Sequence, residues 1–198
     1  MVIGVTGGVG SGKSTVLQIL KDEYDAHIII ADDISREQME PGGEAYEAVV
    51  REFGRSILED PGKALSPIVR PRLAEIVFGD ERLLEKLNSL THPLVRKKIR
   101  ELIREIYAED EEALIVLESA IFVEGKIIDL VDELWAVLVE KEERIRRLRE
   151  SRGYSREKAL SIMENQMSDQ ELSALADFVI DNSGTMEETR QQIRRALR

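Results

Sequence analysis

The stretch from Gly4 to Thr15, GVTGGVGSGKST, constrains the fold of this chain more than any other. Gly7 to Ser14 fits G-x-x-x-x-G-K-[ST], a glycine-rich loop that cradles phosphates. Glycines let the backbone turn tightly and bring its N–H groups close to an anion. Lys13 supplies a positive charge that can reach β- and γ-phosphates, and the Ser14 hydroxyl can ligate Mg²⁺. A helix starting near Lys13 adds the partial positive charge of its N-terminus. Both flanks agree with the pattern. Val2–Val5 is a short apolar run suited to a buried parallel strand, and Val16, Leu17 and Leu20 follow at helical spacing. A glycine turn that binds nothing would need neither flank. The chain is therefore expected to bind ATP with Mg²⁺ through Gly8, Val9, Gly10, Ser11, Gly12, Lys13, Ser14 and Thr15.

Bulk properties narrow the classes. The 198 residues suffice for one domain with insertions, or for a core with small appendages. A net charge of −11, from 28 basic and 39 acidic residues, argues against broad binding to nucleic acid or to anionic membranes. It leaves room for a local basic cleft. Without cysteine there is no disulfide framework and no thiolate chemistry, and two histidines argue against a structural zinc site. The N-terminus runs straight into the loop strand without a secretory signal, and no apolar run is long enough to span a bilayer. A cytoplasmic protein, monomeric or a small homo-oligomer, is expected.

Five apolar runs read as strands: Val2–Val5, His27–Ile30, Leu114–Leu117, Leu134–Val139 and Phe178–Ile180. Segments of helical periodicity lie between them, including Leu83–Leu90, Val95–Ile106 and Arg144–Arg149. The alternation predicts an α/β fold, a five-stranded parallel sheet flanked by helices, with ligands at the carboxyl ends of its strands. Two stretches interrupt it. Residues 33–92, with Pro41-Gly42-Gly43 and the loop-like Glu59 to Pro71, read as an inserted helical domain. Residues 141–172, rich in arginine, read as a helical lid over ATP. Residues 1–32, 93–140 and 173–198 make up the expected core.

Several residues beyond the loop invite chemistry. Asp32 and Asp33 follow the second strand, where a carboxylate can take a proton from a hydroxyl nucleophile or cap a helix before Ile34. Glu118 ends the third strand and Glu124 follows it; each can organise metal-bound water or be a solvated loop acid. Arg144, Arg146, Arg147, Arg149 and Arg152 form the densest basic cluster. Arginine forks suit the charge that develops on a transferring phosphoryl group. Most of them are expected to pair with Glu142, Glu143 and Glu150 on a solvated face, with one or two pointing inward. His92-Pro93 is expected to open a helix, with His92 as a polar cap or interface residue. Trp135 is expected in the core. Asp181 to Gly184 is a turn or an adenine-contacting loop.

In family order, these pieces resemble the dephospho-CoA kinases. GVTGGVGSGKST is similar to the family loop and IIIADDIS to its acidic strand end. REFG at 51–54, RPRLAEIVF at 70–78 and THP at 91–93 resemble the middle segment. IVLESAIFVEG at 115–125, RLRESRGYS, Gln166 and ADFVIDNSG at 176–184 resemble the rest. Some positions depart from the usual pattern, including Glu118 where an Asp is common and Ser151 where an arginine is common. The resemblance implies a P-loop core, an inserted helical acceptor-binding domain and a helical lid. It also implies transfer of the ATP γ-phosphate to the ribose 3′-hydroxyl of dephospho-CoA. By match to the motifs, Asp32 would be the base, with Lys13 and Arg147 neutralising charge and Ser14 reaching Mg²⁺. Arg70, His92 and Glu118 would place the acceptor, and Asn182 and Gly184 would lie near the adenine. The alternatives are another small P-loop kinase and a non-catalytic ATP-binding regulator.

Overall fold

The computed structural model describes residues 1–123 and 125–198. Its sheet is built around β1 (Val2–Thr6), whose five residues are all buried. A strand buried on both faces cannot alternate apolar and polar residues, which is why VIGVT reads as a continuous apolar run. β2 (His27–Ile30), β3 (Ile115–Glu118), β4 (Glu133–Leu138) and β5 (Phe178–Asp181) complete the sheet, in the order β2-β3-β1-β4-β5. β1 pairs in parallel with β3 and with β4, and β4 with β5. The register sets Val5 opposite Glu118 on one side and Trp135 on the other. The strands lie within two residues of the apolar runs read from the sequence.

The chain forms two compact units. One comprises Met1–Ile29, Ile106–Phe122 and Ile127–Arg198; the other comprises Ile30–Glu105 and Val123–Lys126. These bounds differ from the sequence-based divisions at 32/33 and 92/93, and residues 141–172 fall within the first unit.

The first unit packs α1 (Lys13–Tyr24) and α9 (Met186–Ala196) onto the sheet. Val16, Ile19 and Leu20 of α1 and Ile193 of α9 join Ile3, Val5, Val116, Trp135, Val137 and Ile180 in one buried cluster. Trp135 is fully buried, as expected; its ring lies 5.8 Å from that of Phe178 and its indole N–H donates to Glu133 Oε2 at 3.0 Å. A buried indole needs such a partner. This unit also contains α6 (Lys141–Arg152), α7 (Arg156–Glu164) and α8 (Asp169–Leu175). Their small core is Ile145, Leu148 and Ala159.

The second unit contains α2 (Ala31–Gln38), α3 (Tyr46–Phe53), α4 (Arg70–Val77) and most of α5 (Glu81–Glu109). Met39, Tyr46, Val49, Phe53, Ile57, Leu58 and Leu73 are buried together, with Leu83, Leu87, Leu90 and Leu94 of α5 packed against them. α5 corrects one expectation. Pro93 lies inside this 29-residue helix, not in the first turn of a new one. The reason is the apolar stripe: Leu83, Leu87, Leu90 and Leu94 keep one helical face through the proline, and tertiary burial of that face outweighs the lost N–H. No helix among the described residues is long and apolar enough to cross a membrane.

Tyr46 ties the loop before α4 to α3. Its hydroxyl donates to the Ser66 carbonyl at 2.6 Å and accepts from the Ser66 N–H at 3.0 Å, with both residues buried. Tyr46→Phe keeps the ring but orphans both backbone groups, an expected loss of about 1–3 kcal/mol. Urea unfolding of the variant beside wild type measures it, and an unchanged midpoint would show that water takes over both bonds.

Candidate active site

The turn after β1 takes the conformation that its glycines permit. Gly12 lies in the left-handed region at φ 90° and immediately precedes α1. No side chain caps α1, so the Lys13 and Ser14 N–H groups at its start stay available to an anion, while the Thr15 N–H donates to the Gly12 carbonyl at 3.0 Å. At Gly7, an added Cβ would sit 2.5 Å from the Val137 carbonyl oxygen, so the loop can pass β4 only as glycine.

Side chains from distant elements then hold the loop. Lys13 Nζ donates to the Gly7 carbonyl at 2.7 Å and lies 3.6 Å from Glu118 Oε1, at the end of β3. Both side chains are largely shielded, at 17% and 13% exposure, so their attraction is screened less than that of a surface pair. Asn182, just past β5, is buried; its Nδ2 donates to the Ser11 carbonyl at 2.9 Å, and its Oδ1 accepts from Thr189 Oγ1 at 2.9 Å. Ser11 Oγ is buried with no hydrogen-bond partner among the described residues. Ser14 and Thr15, at the start of α1, line a shallow groove of about 410 Å³ with Gln18, Met186 and Arg190.

The arginines of α6 separate by helical phase. Arg146 is exposed and bonds Glu143 and Glu150. Arg149 and Arg152 are exposed. Arg147 is half-buried; it donates to Glu143 Oε1 at 2.8 Å and to the Asn182 carbonyl at 2.8 Å. Arg144 is only 4% exposed and donates to the Val9 carbonyl at 2.8 Å and to Gln166. The guanidinium groups of Arg146 and Arg147 lower the Glu143 carboxyl to about 2.

The first unit thus brings together the P-loop, Lys13, Glu118, Arg147 and Asn182. Gly184 is exposed beside the carboxylate of Glu188, which closes a capping box with Thr185 at the start of α9. Asp32, Arg70 and His92 belong to the second unit. The capping alternative for Asp32 and Asp33 fails, because Ile30 precedes α2 and no side chain caps it. Asp33 instead pairs with Arg36 at 3.1 Å, while Asp32 is exposed in the first turn. Arg70 is exposed at the start of α4, where its neighbour Arg72 takes the structural task of donating to the Leu58 carbonyl at 2.5 Å. His92 is half-buried within α5. Glu124 lies outside the described residues.

The sequence did not single out Arg144 from its arginine cluster, gave Gln166 only as part of the resemblance and left Thr189 unnamed. For Arg144 a signal existed, since it shares a helical face with Ile145 and Leu148, both buried. For Thr189 none did, because its task depends on a contact seven residues back with Asn182.

A parallel sheet, a P-loop at the end of its central strand and an arginine helix beside that loop define a P-loop kinase fold. The family model for dephospho-CoA kinase matches residues 1–188. A dephospho-CoA kinase of Carboxydothermus hydrogenoformans is 46% identical over 192 residues, covering 97% of this chain and 90% of that protein. Among solved structures, a protein from Thermus thermophilus superposes with a TM-score of 0.82 at 28% identity, covering 100% of this chain and 95% of that one. The dephospho-CoA kinase of Campylobacter jejuni does so at 0.62 and 24% identity, covering 99% and 95%, a likeness of fold. The chain belongs to the dephospho-CoA kinase family, and its reaction is the ATP-dependent phosphorylation of dephospho-CoA to coenzyme A.

The Glu143 pairing yields a pH prediction. A carboxyl lowered on folding stabilises the folded state above its unfolded value and loses that contribution as pH falls through the folded value. The stability gap between wild type and Glu143→Gln should be full above pH 4.5 and close as pH falls towards about 2. Urea titrations at stepped pH measure it; a gap independent of pH would mean that the arginines do not hold this carboxylate.

Proposed function

We propose that the P-loop holds the phosphates of ATP and that the γ-phosphoryl group passes to the ribose 3′-hydroxyl of dephospho-CoA. The hydroxyl oxygen attacks the γ-phosphorus, the bond to the β-phosphate oxygen breaks, ADP leaves and the hydroxyl proton goes to Asp32. Lys13 and Arg147 offset the charge on the transferring group. Arg70, His92 and Glu118 place the acceptor. Asn182 and Gly184 border the adenosine end of ATP. The observation that carries the reading is the uncapped start of α1 behind a loop already bent around Gly12 and roofed by Lys13.

The donor set suits Mg²⁺ held through phosphates and water. Ser14 is exposed at the first turn of α1, and no group of three or more His, Cys, Asp or Glu among the described residues is placed to hold a metal by itself. Bound there, Mg²⁺ would supply neutralisation of phosphate charge. Asp32 suits a base because it neither caps α2 nor forms an ion pair among the described residues. A net charge of −11 speaks against broad binding to nucleic acid or to anionic membranes, and the reading extends to a cytoplasmic small-molecule enzyme, monomeric or a small homo-oligomer.

The test supplies Mg-ATP with dephospho-CoA, beside nucleoside monophosphates, adenosine and pantetheine-type alcohols. ADP release is followed, and coenzyme A is identified by mass. Selective turnover of dephospho-CoA is expected. Asp32→Asn should lower kcat by about 10²–10⁴-fold. Near-wild-type turnover in that variant would remove Asp32 from the role of base, and turnover of another acceptor alone would remove the named substrate.

A further inference from the structure

The tip of the P-loop, Gly8 to Gly10, rests against α6. Val9 packs against the cluster of Ile145, Leu148 and Ala159. A Cβ at Gly10 would lie 2.9 Å from Leu148 Cγ. At Gly8 a Cβ would collide with the guanidinium of Arg144, and all three of its nearest atoms belong to that one group. The Gly8 backbone is outside the left-handed region, so the obstacle nearest to a side chain there is Arg144 and not backbone strain.

Arg144 cannot simply withdraw. It is 4% exposed, donates through Nε to the Val9 carbonyl at 2.8 Å, bonds Gln166 Oε1 and lies 4.0 Å from Asp169. Gln166, between α7 and α8, accepts with the same Oε1 from the Val9 N–H at 3.1 Å. Both polar groups flanking Val9 are thereby spoken for, and both partners come from the segment read as a lid. A P-loop binds phosphate only while its carbonyl oxygens face elsewhere, because a carbonyl turned inward repels the anion.

We infer that Arg144 and Gln166 are positioning residues that latch the Val9 peptide outward, coupling the α6–α8 segment to ATP binding. The inference rests on the P-loop binding ATP. Gly8 is then the complement of Arg144, not a residue that the phosphates themselves require.

That claim predicts a specific non-additivity. Binding of Mg-AMPPNP, a non-hydrolysable ATP analogue, is measured without acceptor, and steady-state KM values are measured for ATP and dephospho-CoA. Gly8→Ala and Arg144→Ala should each weaken analogue binding and raise KM for ATP by about tenfold, with KM for dephospho-CoA unchanged within about twofold. In the double variant, alanine at position 8 should add less than about twofold, because its obstacle is gone. Gln166→Ala, which removes the oxygen shared by the Val9 N–H and Arg144, should resemble Arg144→Ala. Equal cost of Gly8→Ala in both backgrounds would overturn the inference, as would unaltered analogue binding in Arg144→Ala. Failure of wild type to bind the analogue would instead sink the reading of the P-loop itself. Melting curves on every variant separate unfolding from a weakened site.

Discussion

A loop that grips phosphates with its backbone N–H groups has to dispose of its carbonyl groups, since each peptide carries both and the anion tolerates only one. Here five successive or near-successive carbonyls are occupied. Gly7 accepts from Lys13, Gly8 from the Ser11 N–H, Val9 from Arg144, Ser11 from Asn182 and Gly12 from the Thr15 N–H. Two of these bonds are internal to the loop, and one comes from its own lysine. The other two reach across the fold, from α6 and from the residue after β5. The conformation that makes the loop useful is therefore maintained by side chains more than a hundred residues away in sequence.

The sheet order explains how they arrive. β4 lies beside β1, and β5 beside β4, so the chain leaving β5 emerges near the loop that leaves β1. Asn182 continues the pairing by donating its N–H to the Leu138 carbonyl at 2.8 Å, and from there its side chain reaches Ser11. Thr189 donates to the side-chain Oδ1 from behind, and Arg147 donates to the main-chain carbonyl of Asn182. An amide with both ends engaged cannot rotate without losing two buried bonds, and an unpaired buried donor costs about 1–3 kcal/mol. Rigidity at the loop thus follows from the topology of a parallel sheet and from one turn at its edge.

The strands and the phosphate loop were legible in the sequence because each is a local pattern: apolar runs of strand length, and a glycine spacing with lysine and serine at its end. The interruption of the alternation by residues 33–92 was legible as helical for the same reason. What escaped the sequence depended on phase or on distance. Pro93 reads locally as a helix start, and only the packed stripe from Leu83 to Leu94 shows that the helix runs through it. Five arginines in one helix look alike on the page; burial on the face of Ile145 and Leu148 makes Arg144 a structural donor, while Arg146 remains a surface ion pair. In Arg-Pro-Arg at 70–72, the two arginines part in the same way: Arg72 anchors the Leu58 carbonyl and Arg70 stays exposed.

Charge presents the remaining problem, because a chain of net charge −11 has to receive a polyanion. A long-range field of the wrong sign slows encounter, yet it is screened over about 8–10 Å at physiological salt, so only the cations near the loop decide binding. Those cations are already partnered, Lys13 with Glu118 and Arg147 with Glu143. A carboxylate beside a cation weakens its pull on phosphate, but it also removes the cost of immobilising a long, flexible side chain when the ligand arrives. Lys13 shows the balance. Its ammonium rests on the Gly7 carbonyl and near Glu118, so two contacts within the fold fix the position of a long and otherwise flexible side chain.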